Sequence, residues 1–164
     1  AGVERIFLCG ITPTPQDRFG NVRGQFKKVS LGAEKYVKWE YAKQTTSVLK
    51  KLRADGYKIF AVEQDKKSVP YYNWGSYYPI ARSYDRIAKM ALAKVALVLG
   101  NEVRGLPPSI LKFADRMLEI PMRGVMVRHA HHPRHIGRGK ESLNVSVAFG
   151  VVIFGLLFLS SGKK

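Results

Sequence analysis

The sequence has one cysteine, Cys9, among 164 residues, which excludes an internal disulfide. In the run RIFLCG it reads as a small core hydrophobe. Nothing around it suggests an oxidising compartment, so a cytoplasmic location is expected. Acidic residues are scarce as well: twelve Asp and Glu stand against twenty-eight Lys and Arg, for a formal charge of +16. Such an imbalance favours a polyanionic partner, the plain alternative being a basic but merely soluble protein. An anionic membrane surface would also attract the chain, but no polybasic amphipathic helix offers itself for docking there. Long hydrophobic runs are lacking too. The most apolar stretch, VAFGVVIFGLLFL at 147–159, falls short of the roughly 18 residues of a spanning helix and contains two glycines. It reads as a buried helix, and no membrane association is expected. The opening AGVERIFLCG has no charged leader followed by a long apolar run, so no secretory signal is expected. It also opens without Met, as a processed or cut chain does.

What is present is enough for one folded domain over 1–164, since 46% of the residues are hydrophobic and can supply a core. Apolar runs at 3–10 (VERIFLCG), 57–64 (YKIFAVEQ), 94–100 (KVALVLG) and 118–121 (LEIP) read as four buried strands. TPTPQDRFGNVRG, at 12–24, is loop by its Pro, Gly and Asn content. KKVSLGAEKYV suggests a short helix weakened by Gly32. AKQTTSVLKKLRADG puts Val48, Leu49 and Leu52 on one stripe opposite its lysines and stops at Gly56, the pattern of an amphipathic helix. PPSILKFADRM opens a further helix with proline, and a last one is expected over about 143–159. Strands alternating with helices imply an α/β fold with a mostly parallel sheet flanked by helices. In such sheets ligands gather at the carboxyl ends of strands. Two loops lie there, GNEVRGL after 95–99 and the whole of 122–142 after 118–121.

LVLGNEVRGL (97–106) is by itself weak. Gly100 and Gly105 permit a tight turn and close backbone approach, but a plain strand-to-helix turn needs no more. Followed by IPM-x-G and then ESLNVSVAFG, it resembles motifs 2 and 3 of the SpoU-like (TrmH-like) branch of the SPOUT superfamily, whose members are S-adenosylmethionine-dependent RNA 2′-O-ribose methyltransferases. GVERIFLCGITPTP and SLGAEKYVKWE also look like that family's early strand and following loop. The resemblance implies a C-terminal trefoil knot, which composition and periodicity do not suggest. It implies S-adenosyl-L-methionine as cofactor, tRNA or rRNA as substrate, and a homodimer. Leu99, Gly100 and Gly105 are then expected to line the cofactor pocket, and Ile120, Met122 and Leu143 to contact the adenosyl group. Glu102, Ser142 and Asn144 match the family's polar positions around the reacting ribose and the cofactor. Read without the family, Asn144 is equally a helix cap and Glu102 a partner for Arg104. The family's first motif, an Asn and an Arg ahead of the GVERIFLCG equivalent, is not within residues 1–164, and Arg5, Arg18 and Arg23 do not stand in its place. Since that Arg is credited with activating the ribose hydroxyl, weak turnover is expected of these residues alone.

Residues 125–140 form an insertion relative to the family and hold His129, His131, His132 and His135. Spacing alone would allow a transition metal, but no Cys, Asp or Glu joins the histidines within the run, and its cations disfavour another cation. No metal is expected. A basic RNA-contacting loop, with Arg128, Arg134, Arg138 and Lys140 on phosphates, is the preferred reading over an inert insertion. In 71–89, Tyr, Trp and Arg interleave, which suits either stacking on unpaired bases or covering a core. Two rivals to the enzyme stay open: a noncatalytic RNA-binding relative that retains the cofactor pocket, and an unrelated nucleotide-binding α/β domain.

Overall fold

The computed structural model describes residues 1–77, 94–122 and 143–160. The chain divides into two compact units, Ala1–Asp55 and Gly56–Lys164.

In the first unit, β1 (Arg5–Cys9) pairs in parallel with β2 (Lys38–Ala42), Arg5 opposite Lys38 and Cys9 opposite Ala42. The Arg5 guanidinium and the Glu40 carboxylate form an ion pair across the strands. The intervening chain is organised by polar turns. Asp17 Oδ1 accepts the backbone N–H groups of Phe19 (2.8 Å) and Asn21 (2.9 Å), which closes a short antiparallel bridge between Gln16 and Val22. The helix α1 (Gly24–Ser30) buries none of its residues and ends where Leu31 and Gly32 take φ of 49° and 91°. A 3-10 turn at Ala33–Lys35 follows. The helix α2 (Thr45–Ala54) turns Leu49 inward, with Val48 and Leu52 half-buried and Lys50 and Lys51 in solvent, as its stripe demands. β2 was not expected as a strand. KWEYA mixes aromatics with charges instead of forming an apolar run, and all five of its residues pair without being buried. Cys9 is half-buried, not a core residue. Burial pushes its thiol above the usual range, while a hydrogen bond with the Thr45 side chain pulls it back.

The second unit is built on a four-stranded sheet in the order β4-β6-β3-β5, every pairing parallel. Its strands are β3 (Lys58–Val62), β4 (Val69–Pro70), β5 (Val95–Leu99) and β6 (Arg116–Glu119). The central strand β3 has the continuous apolar run of a strand covered on both faces, and Ile59, Phe60 and Ala61 are each about 1% exposed. The helix α4 (Val145–Ser160) lays Val152 and Leu156 against Phe60, Leu118 and Trp74, and these five side chains make the core. Phe60 and Trp74 meet as tilted rings 6.4 Å apart. Gly155 lets α4 approach Tyr71, because a Cβ there would lie 2.3 Å from the Tyr71 ring. Glycine inside a helix weakens it by roughly 0.5–1 kcal/mol, and here the close approach accounts for it. The expected helix after Pro107 shrinks to α3 (Pro108–Leu111). It gives way to Asp115, whose carboxylate accepts the Ile59 N–H (2.7 Å) while its own N–H donates to the Ile59 carbonyl (2.7 Å). β6 is thereby docked in register on β3.

The four expected strands are present, with β2 and the two-residue β4 in addition. The α/β architecture with a mostly parallel sheet is the one anticipated. No helix among the described residues is long and apolar enough to cross a membrane, and no group of three or more potential metal ligands occurs among them. The histidines of 129–135 lie outside the described residues, as do residues 78–89 of the second aromatic stretch. Of that stretch, Trp74 is 4% exposed in the core, so its ring is not available to a base.

Candidate functional site

Register decides where the site lies. Val62 pairs with Leu99 on one side and with Leu118 on the other, so three adjacent parallel strands end level with one another. The chain leaving them, 62–64, 99–105 and 119–122, joins Leu143, Val145 and Ala148 around a cavity of about 620 Å³. That volume falls within the roughly 300–1,000 Å³ of small-molecule and cofactor sites, and the carboxyl end of a parallel sheet is their usual place.

One wall is the segment 100–106, folded tightly on itself. Asn101 Oδ1 accepts the N–H groups of Val103 (2.9 Å) and Arg104 (3.2 Å), and the Gly105 N–H donates to the Asn101 carbonyl (2.8 Å). A Cβ on Gly100 would lie 2.5 Å from the Gly105 carbonyl carbon, so any side chain there would force the turn open. Gly105 has φ of 62°, and a Cβ there would lie 2.5 Å from Glu63 Oε2. Gly100 is required by close backbone approach, and Gly105 by its left-handed conformation beside the Glu63 carboxylate.

The opposite wall is the start of α4. Asn144 precedes the helix, and its Oδ1 accepts both the N–H (2.9 Å) and the hydroxyl (2.6 Å) of Ser146, as a helix-capping Asn does. Glu102 Oε1 accepts the Val145 N–H at 3.4 Å, bringing a carboxylate to the positive end of the helix. Glu102 thus ties the first wall to the second across 43 residues of sequence.

The structure brings Leu99, Gly100, Gly105, Ile120, Met122, Leu143 and Glu102 to one cavity. Asn144 falls between the lining residues Leu143 and Val145 but does not itself line the cavity, and its carboxamide oxygen is engaged in the cap. Ser142 lies outside the described residues, and so do Arg128, Arg134, Arg138 and Lys140. Sequence reasoning missed Glu63, Gln64, Asn101 and Glu119 as lining residues. For Glu63 a signal existed: it is the first charged residue after the buried run of β3, a strand-end position like those that were singled out. The described lining carries Glu63, Glu102 and Glu119 against Arg104, an acidic balance within a chain of formal charge +16. A cationic small molecule suits such a cavity, while a polyanion suits the rest of the surface.

Comparison with known proteins agrees with this layout. Residues 7–154 match the SpoU rRNA methylase family. The chain is 28% identical over 126 residues to a tRNA (guanosine(18)-2′-O)-methyltransferase of Aquifex aeolicus, covering 77% of this chain and 46% of that protein. It is 26% identical over 130 residues to the protein of the same name from Borreliella burgdorferi, covering 79% of this chain and 46% of that one. The chain therefore spans about half the length of the curated relatives it matches. Among solved structures, the AdoMet-bound rRNA methyltransferase of Sinorhizobium meliloti superposes with a TM-score of 0.65 at 22% identity, over 94% of this chain and 46% of that one. That likeness shows a shared fold.

Proposed function

The chain belongs to the SpoU rRNA methylase family, and from that premise we propose that it serves the transfer of a methyl group from S-adenosyl-L-methionine to a ribose 2′-hydroxyl of tRNA or rRNA. The observation that carries the reading is the cavity at three level strand ends, with Leu99, Gly100, Gly105, Ile120, Met122 and Leu143 around it. The residues present fit the cofactor. Apolar Leu99, Ile120 and Leu143 suit an adenine ring, the turn around Gly100 and Gly105 lets main chain come close to a ligand, and the carboxylates favour a positively charged group. When bound, that group supplies an electrophilic methyl on sulfur.

The remaining work belongs to the chain. The two walls fix the orientation of whatever lies between them, and alignment is the larger part of a transfer to a waiting oxygen. Glu102, held against the start of α4, is assigned the part of orienting the ribose. Asn144 has committed its oxygen to Ser146, so the part it has left for a ribose is its amide NH₂. Ser142 is assigned beside it from the motif alone.

RNA contact is assigned to Arg128, Arg134, Arg138 and Lys140, on the strength of the chain's charge and their position beside the site in sequence. A homodimer is part of the proposal. It is supported by α4, whose side away from the core exposes Val147, Phe154 (61%) and Phe158 (68%), more apolar surface than a lone helix face needs to show. The family's trefoil knot and a cytoplasmic location complete the reading, a lone cysteine being at home in a reducing compartment. The deciding experiment incubates the protein with tRNA and rRNA and isotope-labelled methyl donor, then digests the RNA to nucleosides. Label in a 2′-O-methylated nucleoside supports the proposal. Label in a base contradicts it.

A further inference from the structure

We propose that Glu63 is a positioning residue for the methyl donor: its carboxylate fastens the 100–106 turn to the end of β3 and so sets the shape of the donor's wall. The inference rests on the donor-pocket reading above, and no motif of the sequence analysis contains Glu63. Three observations meet on this one side chain. Glu63 Oε2 accepts the Leu106 N–H at 2.7 Å, and Oε1 accepts the Gln64 N–H at 3.1 Å. The Glu63 backbone N–H donates to the Leu118 carbonyl at 3.0 Å, so the residue is anchored where β3 meets β6. Its carboxylate then occupies the space that a Cβ on Gly105 would need, 2.5 Å away.

The consequences follow from the geometry. The turn closes on itself through Asn101 and Gly105, but those bonds are internal and do not fix it on the sheet. The bond from Leu106 to Glu63 does so, and being charge-assisted and half-buried it is of the stronger kind. It also gives Gly105 a reason beyond its φ of 62°: a methyl there would push the carboxylate off the Leu106 N–H. Gly100 and Glu102 belong to the same turn, so slack at Leu106 spreads to both the cofactor wall and the start of α4.

The test uses the 164-residue chain with S-adenosylhomocysteine as probe, followed by titration calorimetry, and amide hydrogen exchange across 99–106. E63A should speed exchange at Leu106 and weaken the probe's binding on the order of ten- to a hundredfold, the range set by losing one charge-assisted hydrogen bond. E63Q keeps one oxygen acceptor without the charge and should recover part of that loss, with thermal midpoints showing that both variants fold. G105A should weaken binding in the wild-type background and add less in E63A, where the displaced carboxylate is gone and only the cost of the left-handed φ remains. Unchanged Leu106 exchange in E63A would overturn the assignment. So would equal losses in E63A and E63Q, which would place the effect in charge rather than in the bond. If the wild-type chain binds no probe at all, the donor reading itself has failed, and with it the positioning role; Leu106 exchange would still tell whether Glu63 holds the turn.

Discussion

Both units of this chain contain parallel strands, yet they are held together in different ways. The sheet of 56–164 is covered by α4 and closes over Phe60, Trp74, Leu118, Val152 and Leu156. The strand pair of 1–55 buries little beyond Leu49, and Ile11, Val29, Leu31 and Tyr36 are each more than three-quarters exposed. What orders the first unit is local and polar: the Asp17 turn, the Arg5–Glu40 pair, and the hydroxyl of Ser30, whose one proton lies within reach of the Phe26 carbonyl and the Glu34 carboxylate. The difference teaches where a precise cavity can be built. Strand ends hold a wall in place only when the strands behind them are fixed by packing.

The largest expected effect tests that contrast directly. Phe60→Ala should cost about 3–5 kcal/mol of unfolding free energy, because a large ring leaves a hole that rigid neighbours do not fill. Leu49→Ala should cost about 2 kcal/mol, at the low end for its type, since the thin cover around it can collapse. Denaturant unfolding of the two variants measures both, and equal costs would break the comparison. Next comes Gly100→Ala, whose new Cβ meets backbone of Gly105 and Leu106 within 2.7 Å. It should open the turn and weaken S-adenosylhomocysteine binding by at least about tenfold, with far-ultraviolet circular dichroism unchanged. Unaltered affinity would show that the turn is not part of the donor's wall.

A smaller effect is expected at Asn144. Replacing it by Ala removes the cap on Ser146 and should lower stability by about 1 kcal/mol, and Asn144→Asp should restore it because a carboxylate caps as well. If the amide NH₂ also serves the ribose, Asn144→Asp will regain stability without regaining methyl transfer. The smallest effect belongs to the first unit. Burial alone would raise the Asp17 carboxyl, but hydrogen bonds from Phe19 and Asn21, together with the nearby Arg23, hold it below its usual value. A depressed carboxyl stabilises its turn above the unfolded value of about 3.9 and loses that contribution as pH falls through the folded value. The protection of the Phe19 and Asn21 amides, taken relative to their intrinsic exchange rates, should therefore fall below about pH 4, and Asp17→Asn should flatten that dependence.

The sequence made much of the second unit legible, for physical reasons that also mark its limits. β3 announces itself because a strand buried on both faces must be apolar throughout, and β5, half-buried along its length, is equally apolar. β2 is hidden because its five residues are mostly exposed, and β4 because two residues carry no pattern. The glycines at 100 and 105 stand out in the motif, but what they make room for does not. Gly105 yields to a carboxylate from a different strand, and Glu63 reaches Leu106 across 43 residues, a separation that no local pattern encodes. Asn144 is the converse case. Its capping role was legible because the cap and its Ser146 partner are neighbours in sequence.

The central claim is that three level strand ends of the second unit form the donor's site. It is tested most directly by assigning the backbone amide resonances of the 164-residue chain and titrating S-adenosylhomocysteine. The account predicts saturable shifts with one common dissociation constant, largest at Leu99, Gly100, Gly105, Leu106, Ile120 and Leu143. Saturable binding whose largest shifts fall elsewhere, or no shift at those six amides in a folded sample, would contradict it.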